Sequence, residues 1–159
     1  MENLTEKAKS IIQKILYITI ATSSKDGQPW NSPVFSAFDE NYNFYWNSWT
    51  ENQHSKNIEG NPNVFLIIYD STVSEGTGEG VYIKAKAYMV TNEKEIKRAR
   101  DLLVKRKNKP SSKLRNTREF MGKYPRRVYK AVLEKVWMND VGEVNGNYVD
   151  KRVGVDLLK

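Results

Sequence analysis

At 159 residues and 18.4 kDa the chain has the size of one domain, 1–159, enough to bury about two thirds of the surface its unfolded form exposes. Its 39% hydrophobic residues, with four Trp, nine Tyr and five Phe, exclude a disordered chain, while a mean hydropathy of −0.68 and the lack of any long apolar run argue against a membrane protein. With no cysteine and one histidine, disulfides, thiolate metal sites, Cys nucleophiles and a His-rich metal centre all drop out, so no metal is expected and any redox chemistry must come from a cofactor. Met1–Ser10 is polar and mixed in charge, no signal peptide is read there, and the cytoplasm is the expected location.

The net charge of +7 is unevenly placed. Lys94–Lys130 carries 15 bases against 3 acids, which leaves 11 bases and 16 acids in the rest of the chain. The basic character therefore belongs to one segment.

Apolar side chains at Ala8, Ile11, Ile12, Ile15 and Leu16 predict an amphipathic helix over 5–16, with Thr5 as its N-cap. Tyr17–Thr22 turns β-branched, and Lys25-Asp26-Gly27-Gln28 carries an Asp-Gly turn. Trp30–Phe38 is the expected partner strand, with Pro33 breaking its ladder. Asp39-Glu40-Asn41 is the next turn and Tyr42–Asn47 the next strand. Thr50–Gly60 suits a short helix ended by Asn61-Pro62, and the dense run Val64–Tyr69 a strand buried on both faces. Ser74–Gly80 is a glycine-rich loop, after which Val81–Val90 alternates as a half-buried strand.

The strongest helix pattern follows, capped by Asn92 with Glu95 completing a capping-box-like pair and Ile96, Ala99, Leu102 and Leu103 as its apolar stripe. Pro110-Ser111-Ser112 breaks it, Leu114–Tyr124 forms a second, shorter helix, and together they make a helical basic insertion over about 92–124. Val128–Trp137 and Arg152–Leu158 are closing strands around a turn at Asn145-Gly146. Short strands, tight turns and a helical insertion predict a mainly β, α+β fold of small-barrel type.

Asn47-Ser48-Trp49-Thr50 and Gln53-His54-Ser55-Lys56-Asn57 gather hydroxyls, amides, an imidazole and an ammonium within ten residues. Such donors before a helix suit an anion, although a solvated capping turn would read the same way. The glycines at 76, 78 and 80 have the wrong spacing for a dinucleotide loop, and a strand rather than a helix follows them. No nucleic-acid readout motif accompanies the basic segment, so a solvated helix face accounts for most of it and no specific nucleic-acid role is expected.

Read together, Ala21-Thr22, Gly27-Gln28-Pro29-Trp30, Pro33-Val34, Phe44-Tyr45-Trp46-Asn47, Gln53-His54-Ser55-Lys56-Asn57-Ile58, Asn61-Pro62-Asn63-Val64, Trp137 and Asp150-Lys151-Arg152 resemble the pyridoxamine 5′-phosphate oxidase-like family. The resemblance implies an FMN-binding split β-barrel of Greek-key type, a homodimer with FMN in clefts at the subunit interface, and a small-molecule substrate. It places the flavin phosphate by the turn after Asn47, with Gln53, His54, Ser55 and Lys56 near it. His54 and Gln53 fall where many relatives carry a lysine and an arginine. Ser32, Pro33 and Val34 would meet the flavin ring, Tyr45, Trp46 and Asn47 would line the facing strand, and Trp137 and Arg152 would come from the partner subunit or the barrel end. No catalytic acid or base is obvious.

Ala37, Tyr148 and Asp150 stand where the true oxidase has cationic or imidazole groups for its substrate, and the oxidase's N-terminal substrate-binding extension has no counterpart. The expectation is therefore an FMN-dependent oxidoreductase of flat, weakly charged acceptors rather than a pyridoxamine phosphate oxidase. The alternative is a non-catalytic flavin-binding or sensing protein that uses the basic helix for a partner.

Overall fold

A computed structural model describes residues 3–107 and 116–159. Helix α1 (Leu4–Lys14) starts one turn-residue earlier than expected, because Asn3 rather than Thr5 is the cap and accepts from the Thr5 N–H at 2.9 Å. It buries Ala8 and Ile12 and ends at Ile15, which leaves Leu16 outside the helix and 40% exposed. Strand β1 (Tyr17–Ser23) and strand β2 (Pro29–Phe35) form a hairpin around Asp26-Gly27, where Gly27 takes the positive φ of +86° that the turn requires.

Pro33 does not break this ladder. The Ser36 N–H donates to the Leu16 carbonyl, so the hydrogen-bonded partners are Val34 with Ile18 and Ser32 with Ile20, while Pro33 faces Thr19 in a non-bonded position. The N–H that Pro33 lacks would have pointed to the free edge, so the strand tolerates it. The chain bends instead at Ser36, before the two-residue strand β3 (Ala37–Phe38).

Strand β4 (Phe44–Trp49), helix α2 (Gln53–Gly60), strand β5 (Asn63–Tyr69) and strand β6 (Gly80–Met89) follow in the expected order. In β5 only Val64, Leu66 and Ile68 are buried; Phe65, Ile67 and Tyr69 are half-open, so the strand is buried on one face and not on two. Helix α3 (Glu93–Arg106) has the Asn92 cap, which accepts from the Glu95 N–H at 3.1 Å. The Glu95 carboxylate, however, turns to Tyr45 and Lys130 and does not close a capping box.

The Pro110-Ser111-Ser112 break and the start of the expected second helix lie outside the described residues. Within them that helix reduces to one 3-10 turn, Thr117–Phe120. Strands β7 (Arg126–Val144) and β8 (Asn147–Val155) are longer than expected and shifted at their ends. They meet at Asn145-Gly146, both at positive φ, as a two-residue hairpin of this kind requires.

The sheet runs β2-β1-β5-β6-β7-β4-β3, antiparallel at every pairing, with β8 added beside β7. Its concave face holds the main core, including Ile18, Ile20, Phe44, Trp46, Leu66, Ile83 and Tyr129, closed by Ala8 and Ile12 of α1. Trp46 is fully buried and its ring stacks on Tyr129 at 5.8 Å. A second cluster lies on the other side of β4, where Ile96 and Ala99 of α3 pack on Tyr45, Val90, Phe120 and Val128. The apolar stripe of the basic segment thus docks α3 on the sheet, and most of its charges lie outside, except that Arg100 is buried over the Phe120 ring and Arg106 turns in to the Ile12 and Ile15 carbonyls. No helix among the described residues is long and apolar enough to cross a membrane.

Candidate functional site

The ends of the sheet, β2 and β4–β3, approach each other without hydrogen bonding, and helix α2 spans the gap. A cleft of about 570 Å³ opens there, within the range of small-molecule sites. One end is polar, with Asn47, Ser48, Asn52, His54 and Arg126; the other is largely apolar, with Leu16, Tyr17, Val34, Phe35 and Leu103, Pro33 between them and Lys107 at the rim. From the pairing above, Asn31, Pro33 and Phe35 turn their free backbone groups to this open edge, so Phe35 offers both an N–H and a C=O there.

His54 is buried at the first turn of α2. Its Nε2 lies 2.7 Å from the Ser48 hydroxyl and its Nδ1 3.1 Å from the Ser32 hydroxyl. Ser48 Oγ also accepts from Asn52 Nδ2 at 2.9 Å, and Ser32 Oγ from Trp30 Nε1 at 3.0 Å. Burial pushes the His54 imidazole below its ordinary value of 6.5, so the ring is neutral at neutral pH. Beside this chain the buried carboxamide oxygen of Asn47 has no hydrogen-bond partner. A buried, unpaired acceptor is expensive, and a ligand donor in the cleft would satisfy it.

The residues expected from the sequence divide into four groups. Pro33, Val34, Asn47 and His54 line the cleft, and Ser32 reaches it through His54. Gln53 and Lys56 are exposed on α2, with Gln53 Nε2 bonded to Asn57 Oδ1 at 2.9 Å and Lys56 paired to Glu51 at 2.9 Å; Ser55 is buried in the same helix. Tyr45 and Trp46 lie inside the protein, one under α3 and one in the main core. Trp137 and Arg152 lie on the convex face of the sheet, where Trp137 stacks on Phe65 at 6.2 Å and Arg152 covers the Tyr82 ring at 3.8 Å. Pro33, Thr19, Ile67, Tyr82 and Trp137 occupy one cross-strand row. At about 4.8 Å per strand, Trp137 lies four strands, or roughly 19 Å measured along the curved sheet, from Pro33 in the same chain.

Asn52, Leu103, Lys107 and Arg126 line the cleft without having been singled out. Arg126 and Lys107 belong to the basic segment, where charge alone gives no hint of which two of its 15 cations line this cleft.

A sequence model of the pyridoxamine 5′-phosphate oxidase family matches residues 4–140. The chain belongs to this family. Its fold is the family's split barrel, mainly β with helical insertions. Among curated proteins nothing matches. Among solved structures, a candidate 5-nitroimidazole antibiotic resistance protein from Bacteroides thetaiotaomicron superposes with a TM-score of 0.70 at 16% identity, over 87% of this chain and 84% of that one. A heme-binding protein from Mycobacterium smegmatis gives 0.68 at 15% identity, covering 96% of this chain, which spans only 59% of that longer protein. An F420 reductase gives 0.59 at 18% identity, over 80% and 94% of the two chains. At these identities the likeness is one of fold.

Proposed function

We propose that the protein binds FMN in the cleft at the open edge of β2 and acts as an FMN-dependent oxidoreductase on a small molecule. The observation that carries this reading is the cleft's division into a hydrogen-bonding end and an apolar end along a strand with free backbone groups. Bound there, a flavin would supply hydride transfer. Arg126, Asn52 and Ser48 are suited to hold its phosphate, with neutral His54 positioning the Ser48 hydroxyl beside them. The Phe35 N–H and C=O and the unpaired Asn47 Oδ1 are suited to the polar edge of a heterocycle, and Leu16, Val34 and Leu103 keep water off its ring.

The same chemistry favours flavin over heme. Heme iron is commonly held by His or Cys. This chain has no Cys, and both ring nitrogens of its one His are engaged by serines.

We further propose a homodimer. Phe65, Ile67, Tyr69, Tyr82 and Trp137 form a half-open aromatic face on the convex side of the sheet, continuous with Pro33 and Tyr17 at the cleft. A second copy seated on this face would cover it and bring its own Trp137 and Arg152 toward the cleft.

Pyridoxine phosphate is not the expected substrate. Ala37 is buried in β3, and Asp150 is exposed and engaged by Arg152, so neither offers a cation to a second phosphate. The test is the absorbance spectrum and mass of whatever copurifies, followed by anaerobic NADH or NADPH. A yellow protein that bleaches supports the oxidoreductase; one that stays oxidised favours the flavin-binding or sensing role; a Soret band or a kcat/KM above ~10⁴ M⁻¹s⁻¹ on pyridoxine phosphate overturns the reading.

A further inference from the structure

The cleft's lining contains two cations, Lys107 and Arg126, and no carboxylate. They serve different ends of it. Arg126 belongs with Ser48, Asn52 and His54 and lies over the Trp49 ring at 5.5 Å. Lys107 caps the C-terminus of α3 at the apolar end, with Nζ 5.8 Å from the centre of the Phe35 ring. Phe35 in turn meets Tyr17 edge-on, with centroids 5.8 Å apart and planes at 73°. Tyr17 is 61% exposed, so this aromatic pair is open to a ligand.

Several surface lysines are matched by acids, as Lys14 is by Asp70 at 3.0 Å, Lys56 by Glu51 at 2.9 Å and Lys130 by Glu95 at 2.8 Å, whereas others, such as Lys25, Lys94 and Lys135, are not. Among the described residues Lys107 Nζ has no carboxylate partner, and Lys107 is the unmatched lysine that lines the cleft. A cation poised over an aromatic ring, without a counter-charge, at the rim of a hollow that holds no acid is a seat for an anion.

We propose that Lys107 is the specificity-determining residue of the cleft and selects a flat aromatic anion, of the aromatic carboxylate class, as its second ligand. The ligand's ring lies against Phe35 and Tyr17 and its anionic group on Lys107 Nζ. This rests on the flavin reading above for the first occupant, and it replaces the sequence expectation of weakly charged acceptors. The need for a planar ligand comes from the aromatic pair, and the need for charge from the unmatched ammonium.

The matched probes are 2-naphthoate and 2-naphthamide, alike in shape and different in charge. Each is titrated into FMN-loaded protein, read by the visible difference spectrum, and into flavin-free protein, read by the amide shifts of Phe35 and Lys107. Naphthoate should bind about tenfold more tightly than naphthamide at low salt, a margin that shrinks as salt is raised. Lys107→Gln should abolish the margin without changing naphthamide affinity, and Lys107→Arg should keep it. Equal affinities in the parent protein, a margin that survives Lys107→Gln, or one that is lost only in Arg126→Gln would each overturn the assignment. If FMN fails to bind, the flavin reading falls on that arm alone, and the flavin-free titration still decides the role of Lys107.

Discussion

Strand β4 carries a polar cluster on each side, and the two are built differently. Under α3, Asp39 accepts from the backbone N–H groups of Asn41 and Asn43 at 3.0 and 2.9 Å, from Asn43 Nδ2 at 2.9 Å and from Tyr45 Oη at 3.2 Å. Glu95 binds Lys130 at 2.8 Å and Tyr45 at 3.3 Å. Burial pushes the Asp39 carboxyl upward, but these hydrogen bonds outweigh it and hold the group below its ordinary value. Burial first, then the charges of Asp39 and Glu95, drive the Tyr45 phenol far above its own. Every charge in that cluster has an opposite and every strong acceptor a donor.

In the cleft the cluster of Ser32, His54, Ser48 and Asn52 is neutral, and the Asn47 oxygen beside it is left unpaired. A saturated network has no capacity left for a ligand and fixes the fold. An unsaturated one beside a hollow costs stability until something binds.

The largest effects should come from breaking the saturated side. Asp39→Ala removes the acceptor of the part-buried Asn41 and Asn43 backbone N–H groups and one of the two carboxylates that the Tyr45 hydroxyl reaches, and should cost about 3 kcal/mol of unfolding free energy in urea. Ligand affinity of the molecules still folded should be unchanged; a specific loss of FMN binding without a loss of stability would erase the contrast.

Next, Ile67→Lys places a charge at the centre of the convex aromatic face. Sedimentation should then give an 18.4 kDa monomer with FMN bound at least about a hundredfold more weakly. A monomer that keeps its flavin would show that the cleft is complete in one chain.

On the unsaturated side, His54→Ala should weaken FMN about tenfold or more while Gln53→Ala changes it less than about twofold, because only His54 reaches the cleft. Equal effects in an equilibrium titration would return Gln53 to the site.

The smallest effect is one of pH. The folded value of His54 lies below 6.5, so below that pH the unfolded chain binds more protons than the folded one. This contribution to stability is complete above the unfolded value and is lost as pH falls from about 7 to 5. Thermal melts of the flavin-free protein should fall more steeply over that range than those of His54→Asn, and parallel slopes would mean that the imidazole is not desolvated.

Local physics made much of the fold legible. The Asp26-Gly27 and Asn145-Gly146 turns, the Asn92 cap, the alternation of Val81, Ile83, Ala85 and Ala87 and the stripe of α3 each follow from a side chain's effect on its own backbone. Pro33 misled for an equally local reason. A missing N–H breaks a ladder only if it points at the neighbouring strand, and which edge it points to is set by register, not by the residue. The double burial expected of β5 failed similarly, since an apolar run says that a surface wants covering but not whether the same chain covers it.

For the site, the sequence by itself determined the donor-rich turn from Asn47 to Asn57, the strand Ser32–Phe35 and the absence of thiol chemistry, because those are properties of residue type and near neighbours. Tertiary structure alone decided that His54 turns inward between Ser32 and Ser48 while Gln53 turns out, that Tyr45 serves α3, and that Lys107 and Arg126 stand at opposite ends of one cleft. These groups are separated by tens of residues and meet only because the sheet brings β2, β4 and the start of β7 to its unclosed edge. Sequence spacing carries no information about such a meeting; the strand order, fixed by burying the concave face, does.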